Sequence, residues 1–322
     1  MRILLVKTSS LGDVIHNLPV ASDIRRRLPA AQIDWVVEES FAAIPRLHPA
    51  VAAVIPVAVR RWRQALFKRA TWREILAFRR AVRHPGGADF TYYDAVIDSQ
   101  GLIKSAWLAA LARGRKFGFA APREGLAALS YDGAVEVPKD LHAVMRNRLL
   151  AAGALGYPID DLPLDYGITA APLHAAWLPR GDYAVLLTAT SRADKEWPEE
   201  DWRALGAALI ATGLRCVLPG GSETERQRAA RLAQALGRAV VPPALGLLEM
   251  AGLLAGARIV IGVDTGLTHL AAALGRPTVA IYRASSPALT GALGVAPCIN
   301  LGGLGQAPRA GAVVRAALDM LH

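Results

Sequence analysis

MRILLVKTSSLGDV, residues 1–14, is the stretch from which the rest of the chain can be read. Ile3, Leu4, Leu5 and Val6 form an unbroken apolar run, the pattern of a strand buried on both faces. The run gives way to a polar loop, Lys7-Thr8-Ser9-Ser10, then to Gly12 and Asp13, and an amphipathic helix is expected from Val14 and Ile15 onward. A strand that ends in small polar residues before a helix is the active-site edge of an α/β sheet. The pattern places one cation, Lys7, and one carboxylate, Asp13, above the strand's carboxyl end, where a lone Asp can act as a general base.

Outward from this point, strand-like and helix-like segments alternate. Strands are expected at 2–6, 33–37 and 95–98, and helices at 14–27 and 72–83. The alternation predicts βαβ units and a parallel sheet. Residues 156–182 are punctuated by Pro and Gly and read as a linker. The theme then restarts: strands are expected at 183–187, 215–218, 258–263 and 278–282, and helices at 201–212, 223–237, 265–274 and 310–321. The fold class is therefore α/β, in two similar halves.

The length of 322 residues suits two domains, and a 53% hydrophobic content is ample for two cores. No apolar stretch approaches a membrane span, and the opening lacks a signal-peptide pattern, so a cytoplasmic protein is expected. Cys216 and Cys298 are far apart without ligand-like spacing, which argues against a zinc site or a disulfide framework. The net charge is +10. Residues 58–83 hold nine basic residues against the single acid Glu74, interleaved with Trp62, Phe67, Trp72 and Phe78. Such a segment suits an acidic lipid surface, a phosphorylated substrate or nucleic acid. The plainer reading is a solvated helix face whose Arg stems cover apolar surface.

Three strand ends in the second half suit a nucleotide. IVIGVDTGLTHLAAALG, residues 259–275, runs from a strand through Asp264-Thr265-Gly266 directly into a helix. Unpaired N–H groups and a positive dipole end make such a turn a phosphate site, and Gly266 lets an anion approach the backbone. His269 lies one turn in and can donate to a phosphate oxygen. Equally, Asp264 or Thr265 can serve as a plain helix cap and His269 as a core histidine. TATSRADKEWP, residues 188–198, offers Thr190, Ser191 and Lys195, hydroxyls and an ammonium that suit a phosphate or decorate a surface loop. In LPGGSETE, residues 218–225, Glu223 or Glu225 can grip ribose hydroxyls or simply face the helix dipole. In the first half, Glu38, Glu39, Lys104, Arg60, Arg61 and Arg63 are candidates for holding an anionic acceptor. No P-loop, no G-x-G-x-x-G after the first strand, no G-x-S-x-G, no H-E-x-x-H and no Asp-x-Asp clamp is present.

VKTSSLGDVIHNLP (6–19), WVVEE (35–39), VIPVAVRRWR (54–63), DAVIDSQGLIKSA (94–106), KEWPEEDWR (195–203) and VDTGLTHLAAAL (263–274) together resemble the ADP-heptose:lipopolysaccharide heptosyltransferase family, in particular its type I members. The resemblance implies a GT-B glycosyltransferase with two Rossmann-like domains whose parallel sheets face a central cleft. The implied boundaries are an acceptor-binding domain at 1–165, a linker at 166–181, a nucleotide-sugar domain at 182–308 and a closing helix at 309–322.

It implies an inverting transfer of L-glycero-D-manno-heptose from ADP-L-glycero-β-D-manno-heptose to the inner Kdo of Kdo2-lipid A, with no metal or other cofactor. Asp13 then matches the general base. Lys195 matches the lysine on the donor phosphates, and Glu225 the ribose-binding glutamate. Asp264, Thr265, Gly266 and His269 match the donor turn and helix, and Thr190 and Ser191 the hydroxyls near the diphosphate. Lys7, Ser10, Arg60, Arg61, Arg63 and Lys104 fall on the acceptor side. The partners implied are the nucleotide sugar, the anionic lipid acceptor and the cytoplasmic face of the inner membrane, for a monomer that binds no nucleic acid.

Three positions depart from the family pattern: Gln64 where a further basic residue is usual, Gly220 where a larger residue is expected, and YRASSP (282–287) for the usual YGPTDP. The alternatives are a type II heptosyltransferase acting on an already heptosylated core and, more distantly, a GT-B-like nucleotide-sugar epimerase. A non-enzymatic basic binding module leaves the turn at 264–266 without a purpose.

Overall fold

The opening apolar run forms β1 (Arg2–Val6), buried throughout after Arg2. The computed structural model describes residues 1–84, 92–190 and 192–321, and the chain divides into two units, Met1–Ile168 and Thr169–His322. In the first unit β1 is followed by α1 (Leu11–Ile15), α2 (Leu18–Arg27), β2 (Gln32–Glu38), α3 (Ala43–Arg46), β3 (Val51–Val57), α4 (Val59–Gln64) and α5 (Arg69–Arg83). Then come β4 (Tyr93–Asp98), α6 (Ile103–Leu111), β5 (Gly114–Phe119), β6 (Gly133–Val135) and α7 (Ala143–Leu155). The strands form a parallel sheet in the order β3-β2-β1-β4-β5-β6. The chain leaves β1 for β2 on one side and returns to β4 on the other. A crevice therefore opens between the carboxyl ends of β1 and β4, the switch point where such sheets bind ligands.

The second unit repeats this plan. Its elements are β7 (Tyr183–Leu187), α8 (Glu199–Ala211), β8 (Arg215–Val217), α9 (Glu223–Leu236), β9 (Ala239–Val240), α10 (Leu247–Ala255) and β10 (Ile259–Val263), then α11 (Gly266–Ala273), β11 (Thr278–Tyr282), α12 (Pro287–Thr290), β12 (Cys298–Gly302) and α13 (Ala310–Asp319). The parallel order β12-β11-β10-β7-β8-β9 places its switch point between β7 and β10.

The central strands lie where apolar runs predict them. The expected helix at 14–27 is instead two helices. α1 begins earlier, at Leu11, and ends at Ile15; α2 restarts with Pro19 in its first turn. A continuous helix would drive the Pro19 ring into the carbonyl one turn back, whereas a first turn accommodates it. Residues 169–182 belong with the second unit by contact, and Leu173 N donates to Gly252 O at 3.0 Å.

The strands that periodicity misses are mostly those at sheet edges, β3, β6, β9 and β12. They are short or half-exposed, and β3 carries Pro56, which only an edge tolerates. In α5, Thr71, Ile75, Phe78 and Val82 are buried at helical spacing, and the three apolar ones share a core with Leu4, Val6, Ile55 and Trp62. In the second unit, Trp197 and Trp202 pack edge to face at 5.0 Å between centroids, within a core that includes Leu186, Ile261 and Ile281.

Candidate active site

Asp13 sits in the first turn of α1 and reaches back to its cap. Its Oδ2 accepts from Ser10 N at 2.9 Å and from Ser10 Oγ at 3.1 Å, the carboxylate half of a capping box. Its Oδ1 lies 3.4 Å from Arg123 Nη2. Burial favours the neutral acid, but the charges of Lys7 and Arg123 and the Ser10 hydrogen bonds outweigh it, so Asp13 is held below the usual carboxylate range. Lys7, buried at the end of β1, donates from Nζ to Ser99 O at 2.6 Å across the β1–β4 switch point. Burial lowers its pKa to about 8, against the opposing pull of Asp13. Gln100 fixes the loop after β1: its Oε1 accepts from Thr8 N at 2.7 Å and from Ser9 N at 3.2 Å. Lys7, Asp13, Gln100, Arg123 and Arg146 line one small pocket.

Lys104 joins this group from α6, donating from Nζ to Ser9 Oγ at 2.9 Å. Burial lowers its pKa; Glu38 pulls it up, and Arg60 and Arg63 push it further down, which places both arginines within electrostatic reach. Arg61 differs from its neighbours. It bonds Glu74 at 2.7 Å and Glu39 at 3.1 Å, so two carboxylates already balance its charge.

In the second unit the candidate donor residues converge on Asp264, at the end of β10. Its Oδ2 accepts from Lys195 Nζ and from Ser285 Oγ, each at 2.5 Å, and its Oδ1 lies 3.6 Å from His269 Nε2. Thr190 Oγ1 donates to Asp264 O at 3.4 Å. Burial opposes ionisation of Asp264, but the bonds from His269, Lys195 and Ser285 and the Lys195 charge hold its pKa far down. Thr265 caps α11 without a side-chain bond, and Gly266 is its first residue.

Glu225 stands apart, at the start of α9. Its Oε2 accepts from Gly221 N at 2.7 Å and from Ser222 N at 3.0 Å, so one oxygen already caps the helix. Ser191 lies outside the described residues. Among the described residues no cluster of three or more His, Cys, Asp or Glu side chains is placed to hold a metal ion.

Residues 88–315 match glycosyltransferase family 9 (heptosyltransferase). The chain belongs to this family. It is 48% identical over 297 residues to lipopolysaccharide heptosyltransferase 1 of Salmonella typhimurium (strain LT2), covering 91% of this chain and 92% of that protein. The structure of E. coli heptosyltransferase WaaC with ADP is similar with a TM-score of 0.89 and 44% identity, over 99% of this chain and all of that one. Lipooligosaccharide heptosyltransferase 2 of Haemophilus ducreyi is 24% identical over 319 residues, covering 90% of this chain and 85% of that protein. The two six-stranded parallel units are those of a GT-B glycosyltransferase.

Within this family 9 member, two of the three departures acquire a physical reason. A Cβ on Gly220 would stand 2.8 Å from Arg226 N and 2.9 Å from Glu225 C, so the backbone of α9 leaves no room for a larger residue. The 282–287 loop supplies Ser285 to Asp264 and Arg283 to the carbonyl of Glu196. Gln64 ends α4 exposed, and nothing in the structure explains the choice. Sequence reasoning missed Ser285, Gln100, Arg123 and Arg146. For Ser285 and Gln100 the available signal was a polar residue just past a strand end; Arg123 and Arg146 carry no such local signal.

Proposed function

We propose that this glycosyltransferase moves L-glycero-D-manno-heptose from ADP-L-glycero-β-D-manno-heptose to the inner Kdo of Kdo2-lipid A, with inversion, in lipopolysaccharide core synthesis. The observation that carries the mechanism is Asp13: an ionised carboxylate, oriented by Ser10, at the β1–β4 switch point, with Lys7 and Arg123 beside it. The acceptor hydroxyl oxygen attacks the anomeric carbon while Asp13 takes its proton. The bond from that carbon to the diphosphate oxygen breaks, and ADP leaves with the electron pair. A carboxylate held low is a weak base, which suits proton transfer within the transition state better than prior deprotonation of the hydroxyl.

The leaving diphosphate needs positive charge. Lys195, held in place by Asp264, supplies a fixed ammonium, and the N-terminus of α11 at Thr265 and Gly266 supplies unpaired N–H groups. His269 and Thr190 complete the donor side, with Ser191, while the uncapped oxygen of Glu225 receives a ribose hydroxyl. On the acceptor side, Lys7, Ser10, Arg60, Arg63 and Lys104 face carboxylates and phosphates of the sugar-lipid. Arg61 enters only by exchanging Glu39 or Glu74 for the acceptor. The type I assignment is supported by an identity of 48% to a type 1 relative against 24% to a type 2 relative. The protein works at the cytoplasmic face of the inner membrane, as a peripheral monomer that requires no metal.

The test is transfer from ADP-heptose to Kdo2-lipid A in EDTA, wild type against Asp13→Ala. Turnover in the first and near-silence in the second, with ADP still bound by both, supports donor, acceptor, metal independence and base together. ADP binding without wild-type turnover would move the assignment to a different acceptor, beginning with a heptosylated core.

A further inference from the structure

The loop between α4 and α5 carries Leu66 and Phe67, both exposed, and Phe67 is fully so. The first turns of α5 add Trp72 and Leu76, one helical turn apart and both more than half exposed. This is a braced surface: Trp72 Nε1 donates to Leu66 O at 2.8 Å, and Thr71 Oγ1 to Ala65 O at 2.7 Å. Across a groove stand Ile103 and Trp107 of α6, again exposed, with Arg63, Lys104 and one acid, Glu124, at its rim; the Glu124 carboxylate accepts from Ile103 N at 2.6 Å. A contiguous exposed apolar patch on a fixed scaffold marks an interaction surface.

The charge around it selects the partner. Residues 58–83 hold nine cations and one acid, Glu74, and that acid is bonded to Arg61 and to Trp62 Nε1, each at 2.7 Å. An apolar tip collared by Arg and Lys fits the boundary between anionic headgroups and acyl chains. A nucleic acid would leave the aliphatic Leu66, Leu76 and Ile103 without use. A second copy of this chain would bring two basic collars face to face.

We infer that the α4–α5 tip, with Ile103 and Trp107 of α6, is the face on which the protein rests on an anionic bilayer, Phe67 entering the headgroup–acyl boundary. This rests on the proposed reading that the acceptor is a membrane lipid, and it names the surface that meets that membrane. The face adjoins the chemistry, because Lys104 lies on the groove rim and also bonds Ser9 of the loop before Asp13.

The experiment sediments the full chain with phosphatidylcholine vesicles containing about one third phosphatidylglycerol, free of lipid A, and with pure phosphatidylcholine. The variant carries Phe67→Ser and Leu76→Ser, two exposed side chains outside the proposed active site. Transfer to a deacylated, water-soluble acceptor is measured in parallel. Wild type is expected to bind the anionic vesicles and the variant to lose at least about tenfold in affinity, with transfer to the soluble acceptor unchanged. Wild type that ignores anionic vesicles, or a variant that binds them equally, overturns the inference. So does a wild-type dimer that the substitutions abolish, seen without vesicle binding. If the vesicle results hold and transfer fails with every acceptor, the surface stands and the reading of the acceptor falls.

Discussion

Lys195 and Asp264 are 69 residues apart in sequence, yet Lys195 Nζ lies 2.5 Å from Asp264 Oδ2 at the β7–β10 switch point. The pair is mostly buried, with side-chain exposures of 18% and 10%. Its structural pairing and the proposed phosphate role of Lys195 can be separated by mutation. Lys195→Met leaves Asp264 without its cation, at an expected cost of roughly 2–4 kcal/mol, toward the low end for buried pairs because some exposure remains. Adding Asp264→Asn is expected to restore most of that stability in urea titrations. Affinity for ADP should stay weak in the double variant, as calorimetry would show. Recovery of ADP binding along with stability would mean that Lys195 does not touch the phosphates.

Asp13 is ionised below the usual carboxylate range because Lys7, Arg123 and the Ser10 bonds together outweigh the opposing effect of burial. The acid limb of kcat/KM is therefore expected below the ordinary value for Asp. Arg123→Gln should move that limb upward, since one of the charges favouring the anion is gone. Asp13→Asn, which keeps the size of the side chain, should lower kcat by about 10²–10⁴-fold. A limb that stays in place in the Arg123 variant would separate the pH profile from Asp13.

Lys7 loses its proton near pH 8, since burial disfavours the ammonium more than Asp13 favours it. The acceptor KM is expected to rise as pH passes through about 8, while the donor KM holds. Lys7→Met should have the high acceptor KM at every pH and no dependence in that range. A parallel rise of both Michaelis constants in the wild type would place Lys7 elsewhere in the cycle.

His48 links pH to stability. It is buried, and its pKa falls to about 4 from burial, with Asp165 raising it and Arg25 lowering it. Its Nδ1 accepts from Ala50 N at 3.1 Å, so the neutral ring donates from Nε2 to Ser22 Oγ at 3.0 Å. The unfolded chain binds a proton at about pH 6.5 and the folded chain at about 4. The stabilisation is therefore complete above pH 6.5 and is lost as pH falls toward 4, by about 3 kcal/mol. His48→Gln should flatten this part of the stability curve in denaturant titrations at pH 7 and 4.5. Equal slopes for the two proteins would remove His48 from the account.

Gly220 faces the backbone of Glu225 and Arg226 at under 3 Å from a built Cβ. Gly220→Ala is expected to destabilise by about 1–3 kcal/mol, because backbone cannot give way as a side-chain tip can. Gly221→Ala serves as a control, since its nearest neighbour is the Glu225 carboxylate at 3.3 Å. An unchanged melting temperature for Gly220→Ala would show that the loop yields.

Much of the candidate site is visible in the chain itself. The runs 3–6 and 259–263 are central strands buried throughout, and the polar turns after them carry Lys7, Asp13, Asp264 and Gly266. These are local signals, since apolar runs and turn residues act over a few positions. The edge strands β3, β6, β9 and β12 were illegible for the same reason: half-exposed, they carry no clean pattern.

The α/β class, the two halves and the strand ends that carry the polar residues follow from local pattern in the chain. Tertiary structure alone decided the pairings: Arg123 with Asp13, Gln100 with Thr8, Ser285 and Lys195 with Asp264. It also decided that Glu225 caps a helix and that Arg61 is already neutralised. The reason is that strand order sets these contacts. Parallel strands that neighbour in a sheet lie many residues apart in the chain, so residues beyond their ends meet only once the sheet is assembled.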